Sequence, residues 1–197
     1  LSQDSLIGGL VVERPWVRVP RCWDPFETSV RIIIGQQISV AAASTICGRL
    51  TTKLGLQLSE VSGLNRAFPP AEVLATADLD GIGLTERRKA TIQNFSRSVA
   101  EGIINFHPTE HLEEIQKIWC ALPGIGPWTA QIAAMRVLGH DDIMPSSDLG
   151  ILRRINQLTK SEIDPKQLES RSTIWQPFRS WVAQHLWQAP KIIGGRL

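Results

Sequence analysis

Asp148 is the carboxylate in this sequence best suited to chemistry. It stands in Met144-Pro145-Ser146-Ser147-Asp148-Leu149-Gly150, a run of turn formers leading into the helix-like Leu149-Gly150-Ile151-Leu152-Arg153-Arg154-Ile155. A carboxylate can steady a developing positive charge, or orient and deprotonate an attacking water. Its structural use would be a helix N-cap. Ser146 or Ser147 could cap as well, which frees Asp148 for catalysis. Asp141 and Asp142 lie nearer the preceding helix and are weaker candidates.

Upstream, Leu122-Pro123-Gly124-Ile125-Gly126-Pro127-Trp128-Thr129-Ala130 ends one helix, turns through Gly-x-Gly and begins another. Gly124 and Gly126 can adopt positive φ and admit a second backbone closely. Ile125 can point inward and pin the two helices together. Pro127 suits a first helical position, where its missing N–H costs nothing. The second helix then presents free amides at its positive dipole end, an anion site suited to phosphate. A lone Gly-x-Gly would read as a glycine-capped connection; the full run, with Pro before it and Thr-Ala after it, favours the functional reading.

The elements that must position these residues read as helices. Phe26 to about Leu54 repeats apolar residues at three- and four-residue spacing, through Val30, Ile33, Ile34, Ile38, Ala41, Ala42, Ile46 and Leu50. Residues 55–70 read as loop and 71–77 as a short helix. Asp80-Gly81-Ile82-Gly83-Leu84 forms a tight turn, and Thr85-Glu86 starts a helix running to about Glu101. Further helices are predicted from Pro108-Thr109 to near Leu122, from Pro127 to Leu138, from Asp148 to about Leu158 and from Trp175 to about Trp187. Strand-like alternation is nearly absent, so the predicted class is all-α.

Composition agrees with a folded chain. Of 197 residues 43% are hydrophobic and 20% charged, which excludes wholesale disorder. No apolar run reaches the ~20 residues of a membrane span; Val30 to Ala43 is interrupted by Arg31, Gln36, Gln37 and Ser39. A net charge of +2 permits a nucleic-acid partner without arguing for one. The basic clusters Arg14/Arg18/Arg21, Arg87/Arg88/Lys89 and Arg153/Arg154 read singly as solvated faces. Cys22, Cys47 and Cys120 lack the spacing of a zinc or iron–sulfur site.

The hairpin run, with Asp148 in a Gly/Pro-rich loop downstream, resembles the helix-hairpin-helix superfamily of base-excision DNA glycosylases. Ile34-Gly35-Gln36-Gln37-Ile38-Ser39-Val40-Ala41, together with Trp175-Gln176-Pro177-Phe178-Arg179-Ser180-Trp181 and His185-Leu186-Trp187, is similar to the 3-methyladenine DNA glycosylase II family in particular. The resemblance spans roughly residues 14–187.

It implies a two-lobed fold with an active-site cleft between the lobes, one of residues 27–138, the other of 1–26 with 139–197. It also implies a monomer that binds double-stranded DNA and hydrolyses alkylated purines from it, in the cytoplasm or nucleus. Asp148 would be catalytic. Gly124, Gly126 and Thr129 would hold the DNA backbone through their amides. Trp128 and Trp187 would wall the base pocket, since indole faces attract the cationic bases; most of the seven tryptophans are expected in the core. No required cofactor is expected, but a structural Na+ or K+ could sit on the backbone carbonyls of Cys120, Leu122 and Ile125. A gap-filling wedge falls to Gln37 or Ile38. Relatives can carry an aliphatic residue at Gln37, and the alternative is that Ile38 is core and Gln37 surface.

Bifunctional relatives carry a lysine nucleophile at the position of Trp128, so water is expected to attack here, without strand cleavage. Members of the family usually carry an N-terminal α/β domain ahead of this core. This sequence opens at Leu1 without one, so a removed domain or a shorter member is expected. Competing readings are a non-enzymatic helix-hairpin-helix module, which would not need Asp148, Trp128 or the C-terminal tryptophan segment, and a bifunctional oxidised-base glycosylase, against which the missing lysine argues.

Overall fold

The computed structural model describes residues 1–61, 63–106 and 112–189. The described chain is mostly helical, as expected, with a single two-stranded sheet among the described residues. It divides into two compact units, one of Cys22–Ala133 and the other of Leu1–Arg21 with Ala134–Leu197.

The Cys22–Ala133 unit begins with α2 (Pro25–Ile34), following α1 (Gly8–Glu13) of the other unit. Asp24 caps α2 by accepting from Glu27 N, and Pro25 takes the first turn. The periodic stretch 26–54 is not one helix. The chain turns at Gly35–Ser39, with Gln37 at φ +58°, and restarts as α3 (Val40–Leu54), capped by Ser39 on Ala42 N. The segment expected as loop after Gly55 contains β1 (Leu56–Val61) antiparallel to β2 (Leu64–Ala67). Its alternation is short and Leu56, Leu58 and Leu64 stay exposed, so burial gave the pattern little contrast.

Next come α4 (Ala71–Leu74), α5 (Glu86–Ala100, capped by Thr85 on Arg88 N) and α6 (Leu112–Cys120). The expected start of α6 at Pro108-Thr109 lies outside the described residues. The core of this unit includes Val30, Ile33, Ile34, Leu50, Leu74, Ile92, Phe95, Ile115 and Trp119. Phe95 stacks on Phe26 at 6.1 Å and meets Trp119 at 5.1 Å. Aromatic pairs of this kind add to the area they bury.

The boundary between the units falls within α7 (Pro127–Arg136). The second unit continues with α8 (Leu149–Thr159), α9 (Pro165–Ser172, with a capping box of Asp164 and Gln167) and α10 (Arg179–Gln188). Ile7, Leu10, Met144, Ile151, Ile155, Leu168, Trp175, Val182 and Leu186 form its core. α1 and α9 were not anticipated. The expected helix from Trp175 to Trp187 is a 3-10 turn over Thr173–Trp175 followed by α10.

The tryptophan expectation needs correction. Only Trp119 and Trp175 are fully buried, each 1% exposed; Trp16 and Trp23 are exposed, and Trp128, Trp181 and Trp187 are half-buried. The arginines expected as solvated faces also have partners. Arg21 pairs with Asp141 at 2.7 Å, Arg14 donates to Gln188 O, and Arg154 to Ala189 O at 2.8 Å.

Candidate functional site

In the Cys22–Ala133 unit, α6 ends at Cys120 and the chain turns through Gly124 before α7. Gly124 has φ +89°, and a Cβ there would collide with the Thr91 side chain. Gly126 differs. Its φ is not positive, and a Cβ would meet nothing within 4 Å. The expectation that both glycines serve positive φ therefore holds for Gly124 alone. Ile125 is buried, as an inward pin requires.

The turn is fastened by a residue that sequence reasoning passed over. Gln36 Nε2 donates to Gly124 O at 3.1 Å and to Thr129 Oγ1 at 2.9 Å. Arg88 Nη2 donates to Gln36 O at 2.6 Å, and Thr91 Oγ1 donates to Pro123 O at 3.1 Å. These bonds tie the turn before α3 to the hairpin and to α5. Thr129 is 2% exposed, and its hydroxyl accepts from Gln36. Gln37 is exposed and Ile38 half-buried. Of the carbonyls expected to hold a cation, Leu122 O already accepts from Ile125 N at 3.1 Å. A carbonyl keeps a second lone pair, and neutral oxygens at the negative end of α6 suit a monovalent ion, so the donor set is compatible with one.

In the other unit, Asp148 is the N-cap of α8. Its Oδ1 accepts from Gly150 N at 2.8 Å, Ile151 N at 3.0 Å and Trp187 Nε1 at 2.9 Å. The cap that Ser146 or Ser147 could have supplied falls to Asp148: the residue immediately before the first helical residue has the geometry to reach both amides. Capping does not remove Asp148 from chemistry, because the same bonds hold the half-buried carboxylate in one orientation. Gly150 leaves room for this. A Cβ there would lie 3.0 Å from Asp148 Oδ1 and 3.4 Å from Trp187 Cδ1.

The loop that carries Asp148 is anchored by α10. Ser180 Oγ donates to His140 O at 2.8 Å and accepts from Ile143 N at 3.0 Å, and Ser180 N donates to Asp141 O. Arg179 Nε and Nη2 grip Asp142 at 2.7 and 3.0 Å. Asp142 is half-buried, and burial pushes its carboxyl up, but the hydrogen bonds and charge of Arg179 outweigh that and hold it below its ordinary value. Asp141 accepts from Arg21 and from Trp181 Nε1. Both aspartates are therefore occupied in fastening the loop, and Arg179, Ser180 and Trp181 of the C-terminal tryptophan segment do the fastening. Behind Trp187, Arg136 places its guanidinium 5.4 Å from the ring centroid.

The structure thus joins Asp148 to Trp187, and Gly124 and Thr129 to Gln36. Among the described residues no group of three or more His, Cys, Asp or Glu could hold a metal ion. None of the described helices is long and apolar enough to cross a membrane.

A fold of helices with this hairpin is that of a helix-hairpin-helix protein. Residues 30–180 match the family model described as HhH-GPD superfamily base excision DNA repair protein, and the chain belongs to that superfamily. It is 36% identical over 95% of its length to the probable bifunctional transcriptional activator/DNA repair enzyme AlkA of Mycobacterium tuberculosis, covering 38% of that protein. It is 31% identical over 93% of its length to DNA-3-methyladenine glycosylase 2 of Escherichia coli, covering 64% of it. The chain thus spans less than two thirds of these relatives. Among solved structures, Schizosaccharomyces pombe 3-methyladenine DNA glycosylase (Mag1) in complex with abasic DNA superposes with a TM-score of 0.84 at 23% identity, over 100% of this chain and 97% of that one. The Archaeoglobus fulgidus 3-methyladenine DNA glycosylase gives 0.81, over 93% and 65%. At such identities these two likenesses speak to the fold.

Proposed function

We propose that this chain is the core of a monofunctional DNA glycosylase that flips alkylated purines out of duplex DNA and releases them by hydrolysis. The observation that carries the reading is Asp148, whose Oδ1 receives three N–H donors in a chain of the base-excision superfamily. The relatives named for 3-methyladenine excision supply the substrate class.

A base inside a duplex must leave the stack before its glycosidic bond can be attacked. The hairpin amides at Gly124, Gly126 and Thr129 grip the phosphate backbone at the start of α7, without reading sequence. Gln37, exposed at the turn that Gln36 fastens to the hairpin, fills the gap; Ile38, half-buried, supports it. Trp187, bonded to Asp148, walls the base. Cleavage builds positive charge on the sugar, which the Asp148 carboxylate stabilises while it orients water. N-alkylated purines carry positive charge and leave readily, so the site needs no strong acid. A structural Na+ or K+ on the carbonyls of Cys120, Leu122 and Ile125 would brace the hairpin. Trp128 stands where a nucleophilic amine would be needed for lyase chemistry, so no strand cleavage follows. The protein works as a monomer, where DNA is kept.

The test is incubation with methylated DNA and chromatography of the released bases. Release of 3-methyladenine and 7-methylguanine is expected. Binding without release would overturn the enzymatic reading.

A further inference from the structure

Arg136 is the last residue of α7 and lies in the same unit as Asp148 and Trp187. Its guanidinium carbon is 5.4 Å from the Trp187 ring centroid, and its Nε is buried without a hydrogen-bond partner. A half-buried guanidinium with an unpaired donor is costly unless something offsets the loss of water. Burial holds the Arg136 guanidinium below its ordinary value, and two features act against that loss: the indole face attracts a cation, and the Asp148 charge favours the protonated form. Trp187 Nε1 donates to Asp148 Oδ1 at 2.9 Å. Guanidinium, indole and carboxylate therefore form one connected chain.

We propose that Arg136 is a positioning and specificity residue: it holds the Trp187 indole against Asp148, and its fixed charge lowers the site's preference for positively charged groups. The proposal rests on the reading of Asp148 as the carboxylate that faces the sugar cation. A ring that already faces a guanidinium offers less to a second cation. A fixed positive charge near a carboxylate also weakens the field that a cationic sugar would feel, and at an effective dielectric of about 20 such charges interact over several ångströms. Asp148 keeps its two backbone donors, Gly150 N and Ile151 N, whatever stands at position 136. Removing the charge should therefore leave the carboxylate in place and expose its full field.

The experiment uses two duplexes, one with a pyrrolidine abasic-site mimic that is cationic at neutral pH, the other with neutral tetrahydrofuran of similar shape. The dissociation constants of both are measured for the unaltered chain, Arg136→Met, Arg136→Gln and Arg136→Lys. The two neutral variants should raise the preference for pyrrolidine over tetrahydrofuran roughly fivefold, and Arg136→Lys should leave it within about twofold. Single-turnover release of 7-methylguanine is measured on the same variants. A role confined to packing would lower turnover and leave the preference unmoved. An unchanged preference in both neutral variants, or an equal shift in lysine, overturns the proposal. Arg136→Gln keeps the test readable if Arg136→Met fails to fold. Failure of the glycosylase reading appears separately, as an unaltered chain that binds both duplexes and releases no base.

Discussion

The Trp187 indole donates through Nε1 to Asp148 Oδ1 at 2.9 Å, linking a residue near the end of α10 to the first residue ahead of α8. Oδ1 takes two backbone amides as well, so the indole fixes the carboxylate's orientation while the cap fixes its place.

Asp148→Asn is expected to abolish base release and leave DNA affinity within a few fold, because the loss falls on the transition state. Trp187→Phe keeps an aromatic wall and loses the donor. A hydrogen bond to a charged group is worth about 1.5–3 kcal/mol, so turnover should drop roughly 10- to 100-fold. Single-turnover release from methylated DNA reads both variants, and full activity in Asp148→Asn would assign the chemistry to another group.

The hairpin glycines should separate by phenotype. Gly124→Ala meets a positive φ and the Thr91 side chain, so it should lose about 1–2 kcal/mol from φ alone, with more from the collision. Gly126→Ala meets open space. It should melt like the unaltered chain and yet, on the proposed grip of phosphate by the hairpin amides, weaken binding to every DNA sequence alike. Calorimetry beside a DNA titration tests the pair; normal binding by Gly126→Ala would remove that amide from the interface.

Borohydride added during turnover should trap no protein–DNA adduct, since a Schiff base needs an amine and Trp128 supplies none. Lys117, on the exposed side of α6, precedes the turn and should not substitute. A strong trapped complex with the unaltered chain would refute hydrolysis by water. Trp128→Lys is the informative variant, and a trace of adduct there would locate the sugar.

His185 is 3% exposed in α10, two residues before Trp187. Burial, then the charges of Arg14 and Arg18, hold its imidazole below the ordinary value of 6.5. The unfolded chain therefore takes up the proton first as pH falls. Stability should be full above about pH 6.5 and decline below it until the folded value is reached. Urea midpoints measured from pH 7.5 to 5 should fall in the unaltered chain and stay flatter in His185→Gln; parallel slopes would exclude His185 as the group responsible.

The helical class and the hairpin were legible in the sequence because their signals are local. The Thr85 cap and Pro127 at a helix start act within one turn, and the apolar repeats of α2, α3 and α8 show at three- and four-residue spacing. The break at Gln37 hid inside a continuous apolar pattern, because periodicity does not record a change of helix axis. The cap on α8 fell to Asp148 over its neighbouring serines by a matter of one residue, which backbone geometry decides. Gln36 on the hairpin, Ser180 and Arg179 on the loop that carries Asp148, and Trp187 on Asp148 are contacts between residues 37 to 93 positions apart. Such pairings exist only once packing has brought distant segments together, and no spacing in a linear chain encodes which two polar atoms will meet.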